Sequence, residues 1–219
     1  NLSLNFSDFN MFNFTNIMIN GSYSKRYDGI QNDLTENANT ISRTLTPINV
    51  DAANETIQGM GSYEKRLGKV KLKGSANLMG SNYTNKINGL DNKNKSFNQN
   101  YKASIDTNFK EWPNFEIGFE KVFSNYTSSA SESAFVTDKP FANLEAYFLK
   151  NFTLTADYEY NNYRNKNGGT TSKYDFLNMA LYYHKDGSAW EFVLSGKNLI
   201  NTTSIRRDGF SNNLISTFS

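Results

Sequence analysis

The sequence predicts an all-β fold, an antiparallel segment of a transmembrane β-barrel, and three observations point there. Apolar and polar residues alternate through segment after segment, the mark of strands with unlike faces. Many of these segments run about 9–11 residues, the length that crosses a bilayer at a tilt, where strands of globular proteins average about 5–6. Connections alternate between short and long, with aromatic residues beside them, as in barrels with short periplasmic turns, long extracellular loops and two aromatic girdles.

Ten strands are expected. Asn1–Phe6 places Leu2, Leu4 and Phe6 on one face, and Thr15–Tyr27 places Ile17, Ile19, Gly21 and Tyr23 there. Glu55–Tyr63 follows, then Val70–Asn82 with Val70, Leu72, Gly74, Ala76 and Leu78 opposite Lys71, Lys73, Ser75 and Asn77. Asn98–Phe109 and Phe115–Asn125 alternate likewise, except that Lys121 shares parity with Phe119 and Phe123; it either snorkels to the interface or marks a bulge. The second half supplies Phe141–Phe148, Phe152–Tyr163, Tyr174–His184 and Trp190–Asn198. Short connections are expected near Ser7–Phe14, Glu64–Lys69, Lys110–Asn114, Leu149–Asn151 and Lys185–Ala189. Long loops are expected at Asp28–Asn54, Tyr83–Phe97, Tyr126–Pro140, Asn165–Lys173 and after Leu199. Tyr63, Phe109, Trp112, Phe115, Phe148, Phe152, Tyr183 and Trp190 stand beside the short turns. Tyr23, Tyr27, Tyr83, Tyr101, Phe123, Tyr126, Phe141, Tyr160, Tyr163 and Tyr174 stand beside the long loops, where polar-tipped rings settle at the headgroups. A soluble sandwich would cluster its aromatics mid-strand instead.

Composition narrows the function. With 219 residues, a net charge of +2 and no long basic run, nothing points to nucleic acid. The absence of cysteine, with His184 the single histidine, removes disulfide frameworks, Cys/His metal sites and thiol catalysis. Thirty-three asparagines and only 3 prolines suit strands broken by polar loops. No apolar run reaches the roughly 18 residues of a membrane helix. The chain opens directly on a strand without an initiator Met, which reads as a fragment.

No catalytic constellation, cofactor motif or metal-ligand set emerges, so the expectation is a non-enzyme without a cofactor. His184 sits against a short turn and reads as solvated. Asp157 and Glu159 share a strand face about 7 Å apart along the strand, and a hydrated lumen wall accounts for them better than a glycosidase pair. Asn167-Gly168-Gly169-Thr170 lacks the lysine of a phosphate loop and reads as a hairpin tip. The inward face carries Lys71, Lys73, Lys102, Asp106, Glu116, Glu120, Asp157, Glu159, Glu191 and Lys197, mixed charge that fits a wet channel or a plug held by polar contacts. Arg206 and Arg207 in the final loop are the candidates for an anionic ligand, with pairing to neighbouring loops or lipopolysaccharide as the plainer role. Ligand and lumen contacts are therefore expected at Asp157, Glu159, Glu191, Lys197, Arg206 and Arg207.

Toward the C-terminus, Ala189-Trp190-Glu191-Phe192-Val193-Leu194-Ser195-Gly196-Lys197-Asn198-Leu199-Ile200-Asn201 resembles the penultimate-strand signature of TonB-dependent outer-membrane receptors, in which an alternating strand runs into an Asn-Leu-x-Asn element. Ser204–Ser211, Leu214–Thr217, Pro140–Phe148 and Tyr174–Leu177 resemble the Bacteroidetes version. The resemblance implies a 22-stranded barrel, of which residues 1–219 are a single partial domain of about ten strands, with the plug and last strand lying outside the sequence. It also implies the partners: outer-membrane lipid, the remaining half-barrel and plug, TonB through that plug, a possible surface lipoprotein and an unidentified small ligand. A passive porin-like channel and a surface adhesion or structural β-protein remain the alternative readings of the same strands.

Overall fold

The computed structural model describes residues 1–37, 42–110, 113–129, 131–166, 171–203, 207–211 and 214–218, the last two stretches by backbone alone. Every element is a strand: β1 (Leu2–Asn10), β2 (Thr15–Arg26), β3 (Gly29–Asn37), β4 (Ser42–Val50), β5 (Asn54–Leu67), β6 (Val70–Ile87), β7 (Leu90–Thr107), β8 (Asn114–Thr127), β9 (Glu132–Phe148), β10 (Phe152–Asn165), β11 (Thr171–His184), β12 (Glu191–Gly196), β13 (Arg207–Ser211) and β14 (Leu214–Phe218). Ten of them form one antiparallel meander in the order β1-β2-β5-β6-β7-β8-β9-β10-β11-β12, and these are the ten strands the alternation predicts. Among the described residues the meander ends in two open edges, β1 and β12. The hairpin β3–β4 branches off, with β3 beside β6, and β13–β14 pair as a separate hairpin.

The long loops are where the structure departs from expectation. Tyr83–Phe97 is not a loop: β6 and β7 are 18 residues each and run on to a two-residue turn at Asn88-Gly89. Both turn residues have positive φ (50° and 77°), the backbone a type I′ hairpin needs and the reason Asn-Gly is favoured there. Asp28–Asn54 holds β3–β4, most of Tyr126–Pro140 belongs to β8 and β9, and β10 and β11 both extend into Asn165–Lys173. The two ends of the sheet therefore differ less in loop length than in how far the strands project. The tip Asn167–Thr170 lies outside the described residues.

Register decides the faces. Paired residues share a face, so a single slip would have mixed the apolar and polar sets. None occurs: Leu4 pairs with Gly21, Gly21 with Gly59, Gly59 with Leu78, and Leu78 with Gln99. Farther along, Ile105 meets Ile117, Ile117 meets Ala142, Ala142 meets Tyr158, and Tyr158 meets Leu177. One face is thus apolar from β1 to β12, and much of it is bare; Leu2, Leu4, Phe192 and Leu194 are 72%, 62%, 60% and 73% exposed.

The apolar band has two boundaries, and both slant across the sheet. At the turn end, Val70 lies opposite Thr107, whose hydroxyl accepts a hydrogen bond from the Phe115 amide at 2.9 Å. Leu144 pairs with Phe115, yet β9 continues to Phe148 before turning. At the other end, Lys25, Glu55, Asn82 and Lys95 close the apolar face in one cross-strand row. On β8 it closes at Lys121, whose partner on β7 is Tyr101, well short of Lys95. Both boundaries lie nearer the turn end on β9–β11 than on β2–β7, so the band is displaced along the strands, as in a sheet whose strands cross it at a tilt. Along β10 it runs from Phe152 to Tyr160, about 27 Å along the strand and about 19–22 Å high at the roughly 35–45° tilt of barrel strands, against an apolar band of about 25 Å around an outer-membrane barrel.

Lys121 sits in that boundary without a bulge, because the β7–β8–β9 register is unbroken on either side of it. Its Nζ lies 2.9 Å from Asp138 Oδ1, and Arg164 also binds that carboxylate. The expected girdle beside the short turns is present as a row of rings: Phe148–Phe152 at 5.5 Å, Phe152–Tyr183 at 4.9 Å and Tyr183–Phe192 at 6.1 Å between centroids. Trp112 lies outside the described residues. The opposite girdle needs correction. Tyr23, Tyr101, Phe123 and Tyr160 have apolar-face parity, whereas Tyr83, Tyr126, Phe141, Tyr163 and Tyr174 pair with polar-face residues. The strands continue past their expected ends, so parity still governs which side these rings take. Tyr126, Tyr163 and Tyr174 are buried, and Phe135 stacks on Tyr163.

Candidate functional site

The polar face forms three zones. Nearest the turns is a ladder of ion pairs. Lys71 lies 3.4 Å from Glu64 and 3.9 Å from Asp106; Lys73 lies 2.9 Å from Asp106 and 3.5 Å from Glu116. Ser104 Oγ donates to Glu116 at 2.7 Å and Asn143 Nδ2 donates to its other oxygen at 3.3 Å. Asp106 and Glu116 stand directly opposite each other, an unfavourable pairing that Lys73 offsets by reaching both carboxylates from the neighbouring strand.

Farther up and toward β1, charge disappears. A trough of about 620 Å³ is lined by Asn5, Asn20, Gln58, Asn77, Asn98 and Asn100, with Met60 and Met79 among them. Such a wall offers paired donors and acceptors without net charge.

The third zone contains Asp157 and Glu159. They stand together on β10 above a hollow of about 350 Å³ also lined by Lys102, Glu120, Phe141, Asn143, Phe176 and Asn178. Register builds it: Glu159 lies between Phe141 on β9 and Phe176 on β11, and Asp157 lies between Asn143 and Asn178. The Phe141 ring can lie against the wall because its neighbour is Gly118, where a Cβ would come within 2.3 Å of Phe141 Cζ. Lys102 Nζ sits 4.4 Å from the ring centroid, a cation–π distance. Glu120 is held by Asn100 at 2.8 Å and Lys139 at 3.7 Å, while Glu159 accepts from Asn161 at 2.6 Å. Two flat rings flanked by carboxylates and amides can stack on a ligand and take its hydroxyl or amino groups.

The other expected contacts lie apart. Glu191 is at the turn end, its Oε1 3.0 Å from His184 Nδ1, so His184 is not simply solvated but part of an exposed pair. Lys197 follows β12 and is exposed. Arg207 opens β13 opposite Phe218, and Arg206 lies outside the described residues. Of the six, only Asp157 and Glu159 share a site. Phe141 and Phe176 went unread as its members because their neighbourhood depends on cross-strand register.

The Asn-Leu-x-Asn element has a plain physical role. Asn198 and Asn201 both adopt positive φ (52° and 56°). The Asn198 side chain accepts from the Thr202 amide at 2.9 Å and donates to the Thr202 carbonyl at 3.0 Å, closing the turn on itself. The Leu199 amide donates to the Leu177 carbonyl at 2.8 Å, and its side chain covers Gly196. The element stops β12 and pins the departing chain to β11.

At the projecting end, an asparagine network is buried between β6, β7 and β8. Asn92 and Asn94 both donate to Asn85 Oδ1, at 2.8 and 2.7 Å, and Tyr126 OH donates to Asn94 Oδ1 at 2.7 Å, all of them buried. The β3–β4 hairpin is clipped to the Asn88-Gly89 turn, with the Asn88 amide donating to Leu34 O and the Glu36 amide to Asn88 Oδ1, both at 2.9 Å. Among the described residues no group of three His, Asp or Glu gathers as a metal site would need. No family model, curated protein or solved structure matches the chain.

Proposed function

We propose that this chain is part of the wall of an outer-membrane transport receptor of the TonB-dependent kind. Its apolar face meets lipid, its polar face meets a ligand and a plug, and its projecting hairpins form the ligand-capture surface. The apolar band, unbroken across ten strands and displaced along them from one side of the sheet to the other, carries the reading: a soluble sheet has no reason to keep one such face, and the tilted strands of a barrel do. Bare Leu and Phe across the whole of one face support it, since soluble monomers rarely leave so large a patch open. Two open edges fit a sheet completed by further strands, because unpaired amides do not persist in hydrocarbon. The motif turn at Asn198–Asn201 supports the receptor class over a generic barrel. The ion ladder, amide trough and Phe141–Phe176 hollow suit an interior filled by protein and visited by a polar ligand. The tip hairpins are cross-braced by asparagines, so capture is by a preformed surface and not by loose loops.

The test is conductance. Assembled with the rest of its receptor in a planar bilayer, the protein is expected to pass no steady current until urea unfolds the plug. An open pore without urea would make it a passive channel, and failure to enter the bilayer at all would leave the surface-protein reading.

A further inference from the structure

The two boundaries of the apolar face are chemically unlike. At the turn end it closes in rings, with Asp8 and Lys65 the only charged residues of described strands there. At the projecting end it closes in charge. On the described strands, cations at Lys25, Lys86, Lys93, Lys95, Lys121, Arg164 and Lys173 share the apolar-face parity with five carboxylates, Glu55, Asp91, Glu132, Asp138 and Asp175.

The densest part is a cross-strand row on four adjacent strands, Lys121 on β8, Asp138 on β9, Asn162 on β10 and Lys173 on β11, with Arg164 one step beyond Asn162 on the same face. It spans about 14 Å. Asp138 is shared between Lys121, at 2.9 Å, and Arg164, so one carboxylate orients two cations and leaves a positive charge over. Among the described residues Lys173 has no carboxylate partner, and Asp175 beside it accepts from Tyr158 OH at 3.1 Å. Lys121 and Arg164 keep side-chain exposures of 37% and 47%, open to an outside group.

An excess of cations at the edge of an apolar band needs an anion that lives at that depth. We propose that Lys121, Arg164 and Lys173 form a site for the phosphate of an anionic lipid headgroup. The inference rests on the reading that the apolar face lies in a membrane. The guanidinium offers a planar fork to phosphate oxygens, and the two ammonium groups add point charge on either side. Asp138 holds two of the three in place. The lipid's chains would continue down over the apolar face toward Leu177 and Ala156, a continuity that a free phosphate lacks.

The experiment embeds the protein, with the rest of its receptor, in nanodiscs of equal phosphatidylglycerol and phosphatidylcholine, and counts lipids that stay bound on release by native mass spectrometry. Phosphatidylglycerol should be enriched, and Lys121→Gln/Arg164→Gln/Lys173→Gln should lower that enrichment about fivefold per cation removed. Lys102→Gln, a loss of charge on the polar face, should leave it unchanged. Because the triple variant strands Asp138, Lys173→Gln alone is the second test; it disturbs no ion pair and should still lose about fivefold. Equal retention of both lipids by the unaltered protein, or undiminished preference in Lys173→Gln, overturns the proposal. So does displacement of the lipid by inorganic phosphate but not by sodium chloride of equal ionic strength, which would make this a free-anion site. A protein that never enters the nanodisc overturns the membrane reading and this inference together; one that enters without lipid preference overturns this inference alone.

Discussion

The two faces of the sheet are built from the same ten strands, yet their side chains behave differently. On the polar face neighbours grip one another: Lys73 reaches two carboxylates, Asn143 steadies Glu116, and Phe141 fills the space over Gly118. On the apolar face, contacts between rings gather at the turn end and the middle is open. Nothing lies within 4 Å of where a Cβ would sit at Gly61 or Gly74 in the middle of the band. A face left bare in this way, with leucine and phenylalanine outward, is complete only against an apolar solvent. The difference teaches that the protein supplies its own packing partners on one side and, on the proposed membrane reading, leaves them to lipid on the other.

The largest expected effect breaks that asymmetry directly. Leu154→Arg places a charge in the middle of the apolar band and should cost about 2–4 kcal/mol of folding free energy in lipid vesicles, while Thr155→Arg on the opposite face should cost far less. Urea titration of the two variants measures the gap. Next come the glycines. Gly118→Ala drives a methyl into Phe141 and the Ala103 carbonyl, 2.3 and 2.8 Å away, and should cost about 1–3 kcal/mol. Gly74→Ala should stay within about 0.5 kcal/mol, since no protein atom lies within 4 Å of its new methyl. Equal costs would mean that the two faces are packed alike.

Smaller effects sharpen the picture at the projecting end. Tyr126→Phe removes the hydroxyl from buried Asn94 and should cost about 1 kcal/mol, seen as faster amide exchange in β6 and β7 near Asn88-Gly89. Lys121→Met should change stability by no more than about 1 kcal/mol, as expected of a half-exposed ion pair at a boundary. A cost several times larger would place Lys121 inside the hydrocarbon instead of at its edge.

The faces were legible in the sequence because period-two alternation with strong hydrophobic contrast leaves one choice of side: Leu154 outward, Asp157 and Glu159 inward. The projecting strands were not. Leu90–Gln99 reads Leu-Asp-Asn-Lys-Asn-Lys-Ser-Phe-Asn-Gln, nearly polar on both faces, and is held by its backbone ladder and by asparagine amides, neither of which produces a periodic signal. Asn88-Gly89 was the available clue to that hairpin. For the candidate site, parity placed its two carboxylates on one face, but Phe141 and Phe176 reach Glu159 only through pairings with β9 and β11, and no single strand encodes those. Lys121 looked anomalous for the same reason, since Asp138 and Arg164 come to it from other strands.

The central claim, that one face meets lipid, is tested most directly by labelling. The chain contains no cysteine, so single substitutions give a clean background. Cysteines placed one at a time at Leu154, Thr155, Ala156 and Asp157 in the membrane-embedded protein would be exposed to a water-soluble maleimide. The account predicts strong alternation, with positions 155 and 157 labelled and 154 and 156 protected until detergent is added. Uniform labelling along β10, or protection of the opposite pair, would contradict it.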